Sequence, residues 1–173
     1  CSKSLEVNVS ENKGAPQLQA DIPIGLNCKT LTNTLAVFRI DSLSHVAYHW
    51  STVNGNILTG DSTLYPIIDR DGAYTLIATN SDNGCTSLVT VLVTADVNPP
   101  TIQAGPAATL TCAAKTFTLN GSASSTSHEL AYEWSGPGIT SGETTLNPEV
   151  NKPGTYTLLV TDLDNGCTAA SSV

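Results

Sequence analysis

Short runs in which apolar and polar residues alternate recur along the whole chain, Tyr156-Thr157-Leu158-Leu159-Val160 among them. Alternation with period two marks a strand with one buried face. No window of about ten residues carries apolar side chains at i, i+3, i+4 and i+7, so no amphipathic helix is expected. The pattern predicts an all-β chain. In its second half the strands are expected near 100–104, 108–112, 115–121, 129–135, 143–147, 153–162 and 167–173. Asp82-Asn83-Gly84 and Asp164-Asn165-Gly166 each precede a cysteine. Asn and Gly tolerate positive φ, and the triplets predict type I′ hairpins joining the sixth strand to the seventh.

The alternating runs repeat. Val7, Val9, Pro16, Gln19, Ala20 and Leu26 recur 84 residues later as Val91, Val93, Pro100, Gln103, Ala104 and Leu110. Tyr48-His49-Trp50 returns at the same offset as Tyr132-Glu133-Trp134. Beyond Trp50 the offset becomes 82, so that Gly72-Ala73-Tyr74 matches Gly154-Thr155-Tyr156 and Asp82-Asn83-Gly84-Cys85 matches Asp164-Asn165-Gly166-Cys167. So many matches in one register define a tandem repeat. Its period suits a small seven-stranded sandwich of the immunoglobulin type and exceeds that of a solenoid unit. Prolines near Gly14-Ala15-Pro16 and Asn98-Pro99-Pro100 mark the boundaries, because proline stops strand pairing. The expected organisation is 1–13 as the last strand of an upstream repeat, 14–97 as one repeat, and 98–173 as a second repeat cut within its last strand. Alternatively, residues 2–10 are a strand donated to a neighbouring subunit.

Tyr48 and Trp50, like Tyr132 and Trp134, stand two apart and share one face of a strand. With aromatics only 5% of the chain, Trp50 and Trp134 are assigned to the cores and not to a sugar-binding platform. Tyr74 and Tyr156 fall where sandwiches of this type anchor a corner through the tyrosine hydroxyl. Antibody domains carry a cysteine two residues further on. Here Leu76 and Leu158 stand there, so any disulfide lies elsewhere.

Composition narrows the function. The net charge is −8, with only 7 Lys plus Arg. A chain that tracks phosphates needs a basic stripe, so nucleic acid is not an expected partner. No apolar run approaches the ~18 residues that span a bilayer. Five cysteines, no methionine and many hydroxyl residues point to an oxidising extracellular compartment. His45, His49 and His128 occupy no equivalent positions in the two repeats, and His49 alternates with Tyr48 and Trp50 toward solvent. No serine or cysteine has a base at a recognisable spacing, and no phosphate loop is present, so no catalytic residue and no cofactor are assigned. Asp162 and Asp164 stand at alternate positions, as the oxygens of a calcium loop do, but no glutamate closes the loop. They are weak calcium candidates beside a plain hairpin.

Leu110-Thr111-Cys112, Thr118-Leu119-Asn120-Gly121-Ser122, Tyr132-Glu133-Trp134-Ser135-Gly136-Pro137-Gly138, Thr145-Leu146-Asn147-Pro148 and Asn165-Gly166-Cys167-Thr168 follow one another in that order. This succession resembles the PKD-like and related Ig-like repeats of very large secreted Bacteroidota surface proteins. The resemblance covers essentially the whole chain, more fully in 98–173. It implies export, a role in adhesion or gliding, and arrays of many copies, and it names no ligand. Neighbouring repeats are the expected partners, with other copies in a filament and surface glycans kept open beside them. The expected role is therefore a non-catalytic adhesive or structural module of an adhesin, stalk or filament. The alternatives are a carbohydrate-binding or spacer module of a secreted hydrolase and a strand-exchanging filament subunit. The family habit further implies one bond per repeat, Cys28–Cys85 and Cys112–Cys167, with Cys1 paired outside. Alternating strand directions oppose this, because they place the second and seventh strand starts at opposite ends of a sandwich. A bond from Cys28 to Cys167 of the next repeat stays open beside it.

Overall fold

The computed structural model describes residue 3 and residues 6–125 and 129–173. The chain divides into two compact units, one of residues 1–26 and 32–95, the other of residues 27–31 and 96–173. The described residues form strands and turns and no helix.

In the first unit the strands are β1 (Leu18–Ala20), β3 (Asn33–Thr34), β4 (Val37–Arg39), β5 (Val46–Val53), β6 (Ile57–Thr59), β7 (Ile67–Ile68), β8 (Gly72–Asn80) and β9 (Thr86–Val93). Two short strands, β2 (Leu26–Asn27) and β10 (Ala95–Asp96), pair with each other. One sheet has the order β5-β8-β9, with Trp50 opposite Leu76 and Tyr74 opposite Val91. Facing it, β1 pairs β4, and β3-β7-β6 forms a three-stranded sheet. Backbone bonds from Leu35 N–H to Pro66 O (3.0 Å) and from Val37 N–H to Leu64 O (3.1 Å) carry one pairing into the next. The period-two alternation of β5 and β8 turns Trp50, Tyr74, Leu76 and Ala78 inward. Trp50, Tyr74 and Leu76 meet Leu35, Val37 and Ile68 of the facing layer in a single core.

The second unit repeats this plan with β11 (Thr101–Gln103), β12 (Phe117–Thr118), β13 (Ser122–Ser124), β14 (Leu130–Ser135), β15 (Ile139–Ser141), β16 (Glu149–Val150), β17 (Thr157–Asp162) and β18 (Thr168–Ser172). The order β14-β17-β18 faces β11-β13 and β12-β16-β15. Trp134, Tyr156, Leu158 and Val160 close its core with Leu119 and Val150. The chain is all-β, a tandem of immunoglobulin-like β-sandwiches.

Several strand assignments change. Residues 108–112 form no strand, although their counterparts Leu26–Asn27 do. Residues 143–147 are a turn, with strands on either side at β15 and β16. Gly142 adopts φ +71°, its carbonyl accepts the N–H and the hydroxyl of Thr145, and Pro148 offers no N–H to a ladder. Of the expected strand 115–121 only β12 forms, pairing β16, and the next strand, β13, starts beyond it at Ser122 and pairs β11. Residues 6–13 lie in no strand and are exposed. Cys1 and His128 fall outside the described residues.

Candidate functional site

The same two hydrogen-bonded anchors recur in each core. Trp50 is 2% exposed and donates its indole N–H to Thr63 O at 2.8 Å; Trp134 does so to Thr145 O at 2.9 Å. The Tyr74 hydroxyl lies 2.5 Å from Arg70 O and accepts the Asn56 N–H at 2.9 Å. The Tyr156 hydroxyl sits against the carbonyls of Lys152 and Pro137. Both tyrosines tie the start of a central strand to the loop four residues before it, a corner that needs the hydroxyl and not only the ring. Burial pushes the Tyr74 phenol up from its ordinary value, with the carboxylates of Asp69 and Asp71 adding to the shift. With both indoles inside, neither serves as a sugar platform. The exposed aromatic pair Phe38 and Tyr65 meets edge-on, with the rings inclined at 74°, and offers no flat face.

The two Asp-Asn-Gly-Cys hairpins are built alike, though not as type I′ turns. Positive φ occurs only at Gly84 and Gly166, both at 75°, and not at the preceding asparagines. Asn83 and Asn165 act through their side chains instead, each Oδ1 accepting the N–H of the following cysteine at 2.8 Å. Their amides reach back to the start of the repeat, Asn83 to Gly14 O and Asn165 to Asn98 O, both at 3.0 Å. The residue before each turn, Asn80 or Asp162, matters equally, and its role is to cap the turn. Asn80 Oδ1 accepts the Asp82 N–H, and Asp162 Oδ1 accepts the N–H groups of Asp164 and Asn165. These are Asx turns, in which a short side chain caps the backbone two residues on. The recurring acid or amide at 80 and 162 was the available signal.

The calcium candidates part company here. Asp162 is fully buried, bonded to that backbone and to the Ser125 hydroxyl, while Asp164 faces solvent. No cluster of three metal-ligating side chains occurs among the described residues. Of the histidines, His45 lies 3.0 Å from the Asp82 carboxylate on the surface, and His49 is exposed.

The hairpin of the second unit carries the chemistry of the chain. Cys167, 2% exposed, is bonded to Cys28 with a Cα separation of 5.1 Å. Cys28 is presented by a tight turn in which Asn27 N–H donates to Thr30 O (3.0 Å) and Asn27 Oδ1 accepts the N–H groups of Lys29 and Thr30. The Lys29 ammonium donates to Leu163 O, and its stem lies over Gly166. This segment, residues 27–31, thereby belongs to the second unit although the repeat register assigns it to the first. Cys85 and Cys112 are thiols. The pairing of Cys28 with Cys85 and of Cys112 with Cys167, one bond per repeat, is therefore corrected. Cys112 lines a groove with Val173, at the far end of the five-residue strand β18 from Cys167. That strand spans roughly 17 Å, against the ~4.4–6.8 Å between Cα atoms that a disulfide requires.

No family model matches the chain. It is similar to the human "Dyslexia-associated protein KIAA0319", 33% identical over 135 residues, which cover 72% of this chain and 12% of that protein. The mouse homolog is 35% identical over 114 residues, 60% of this chain and 10% of the mouse protein. The chain thus spans about an eighth of the length of the curated relatives it matches. These relatives are mammalian, and they lend no support to an origin in Bacteroidota. Among solved structures it is similar to three N-terminal domains of the bacteriophage RB49 Hoc capsid protein (TM-score 0.43, 15% identity, 91% of this chain and 57% of that one). The I67–I69 fragment of titin gives a TM-score of 0.37 at 14% identity, over 92% of this chain and 65% of the fragment. Drosophila N-cadherin EC1-4 gives 0.36 at 14%, over 93% and 49%. The assignment as tandem immunoglobulin-like β-sandwiches rests on the sheets and cores of the chain itself.

Proposed function

We propose that this chain is a non-catalytic structural module of an extracellular protein built from immunoglobulin-like repeats, and that its role is to hold or adhere under load. The Cys28–Cys167 bond carries this reading. It joins cysteines 139 positions apart and fastens a turn of the first-repeat sequence to the hairpin of the second. Bonds of this kind persist in oxidising compartments and are rare in the cytosol. Closing so long a loop stabilises a fold by about 4–5 kcal/mol in the chain-entropy account. The cores supply the rest of the stiffness, each pinned by a tryptophan and a corner tyrosine. Among the described residues, the Asp41 and Asp162 carboxylates are spent on backbone N–H groups, and His45 lies against Asp82 on the open surface. Among the described residues no helix is long and apolar enough to cross a membrane. In its fuller form the reading places the array on a bacterial surface, as an adhesin, stalk or filament. That part is supported by the ordered repeat motifs and by the acidic, hydroxyl-rich composition.

Pulling single molecules by their ends tests the mechanical role. With the bond intact, the residues between Cys28 and Cys167 stay hidden from the force. Reductant should lengthen the fully unfolded chain by about 46–50 nm, at roughly 3.3–3.6 Å for each of the 139 residues. Equal extension with and without reductant contradicts the reading.

A further inference from the structure

Asn-Gly occurs at Asn54, Asn83, Asn120 and Asn165. Such a pair can convert itself, because the glycine nitrogen can attack the asparagine side-chain amide with no Cβ in the way. The reaction needs two groups at liberty, the glycine N–H and the side-chain amide. At three of the pairs the fold engages both. Gly84 N–H donates to Asn80 O and Gly166 N–H to Asp162 O, each at 2.8 Å, and Gly121 N–H donates to Leu146 O at 2.9 Å. The Asn83 side chain holds Cys85 N–H, Asn12 Oδ1 and Gly14 O. Asn165 holds Cys167 N–H and Asn98 O, and Asn120 Oδ1 accepts the Asn147 amide at 3.0 Å.

Asn54 differs on both counts. Its side chain is exposed, and among the described residues neither that side chain nor Gly55 N–H makes a hydrogen bond. Its φ of 64° is the one positive value at a non-glycine residue among those described, a conformation that asparagine tolerates better than most. The second unit makes this turn with Ser135-Gly136-Pro137-Gly138, which contains no asparagine.

The stretch around Asn54 is fixed on either side. Asn56 N–H donates to the Tyr74 hydroxyl at 2.9 Å, and Asn56 Nδ2 donates to Asp69 Oδ1 at 2.8 Å. Gly72 passes so close that a Cβ there would stand 2.6 Å from Gly55 N and 2.8 Å from Val53 O. A backbone lengthened between Val53 and Asn56 has no room to keep these contacts.

We propose that Asn54 is a self-modifying site of the first unit, converting to aspartate and isoaspartate, and that the isoaspartate form opens the Tyr74 corner. The Gly55 nitrogen bonds to Asn54 Cγ, the Cγ–Nδ2 bond breaks, and the Gly55 amide proton leaves with that nitrogen as ammonia. Water then opens the cyclic imide, and the new carboxyl gives up its proton. Breaking the ring at Cγ yields aspartate. Breaking it at the Asn54 backbone carbonyl yields isoaspartate, whose chain runs through Cγ and is a methylene longer. The site goes beyond the structural-array reading and does not depend on it.

The test ages the purified 173-residue chain in heavy-oxygen water at mildly alkaline pH and maps the labelled peptides by mass spectrometry. Label should enter at Asn54 about tenfold or more faster than at Asn83, Asn120 or Asn165, whose hydrogen bonds must break first. In denaturant with reductant the four should react at similar rates. Hydrogen exchange of the aged chain should quicken in β5 and β8 and stay unchanged in β14 and β17. Asn54→Asp, which adds the charge without the methylene, should exchange like the fresh chain. Asn54→Gly suits the positive φ and should not weaken with age. Equal labelling of the four sites in the folded chain overturns the proposal, as does a preference for Asn54 that survives in denaturant. So does isoaspartate at 54 with unchanged exchange in β5 and β8. Each of these results leaves the array reading standing.

Discussion

Asp41 shows how one side chain secures a sandwich edge that no motif announces. Its carboxylate accepts the Gln17 N–H at 2.6 Å and the Leu43 N–H at 2.8 Å, and lies 3.1 Å from the Arg39 guanidinium. Partial burial pushes this carboxyl up, but the two N–H donors and Arg39 outweigh it and hold it below the usual value. A depressed folded value stabilises the fold above the unfolded-state pKa of about 3.9, and the contribution is lost as pH falls through the folded value. Asp41→Asn should therefore melt below wild type at neutral pH, and the gap should narrow once pH drops below about 4. A gap independent of pH contradicts this assignment. The anchors of the core, by contrast, were legible. Trp50 and Trp134 stand two residues from a tyrosine in an alternating strand, and a chain this poor in aromatics places its indoles inside. Asp41 was invisible because Gln17, the residue before β1, reaches it only through the β1–β4 pairing.

At the scale of elements, strands were legible where they lie buried along their length, and turns were not. β5, β8, β14 and β17 follow their alternating sequence closely. Residues 108–112 alternate too, but a strand needs a partner, and that of Leu26–Asn27 is β10, pairing that no pattern within 108–112 encodes. The hairpins were found at the right place with the wrong geometry. Asn-Gly suggested backbone at positive φ, whereas the asparagines bond through their side chains and glycine alone takes φ 75°. The two glycines then separate. A methyl group at Gly84 meets nothing within 4 Å, so Gly84→Ala should cost only the left-handed backbone, about 1–2 kcal/mol. At Gly166 the same methyl runs into the stem of Lys29. Gly166→Ala should cost more than Gly84→Ala, and should also slow formation of the Cys28–Cys167 bond by displacing residues 27–31. Equal losses, compared by chemical denaturation, count against the packing of Lys29 on this turn.

For the whole molecule, the offsets of 84 and 82 residues made the tandem architecture readable without any structure. The cysteines were half readable: the family resemblance implied a bond inside each repeat, while the alternating strand directions opposed it and kept open Cys28–Cys167, the bond that forms. The pairing keeps residues 27–31 with the second unit, and the proposed structural role rests on it. Proteolysis without reductant, with mass spectrometry of the cross-linked peptides, measures this most directly. A Cys28 peptide linked to the Cys167 peptide, with Cys85 and Cys112 open to alkylation in the monomer, is the predicted result. A Cys28 peptide linked to the Cys85 peptide, or Cys112 linked to Cys167, would contradict it.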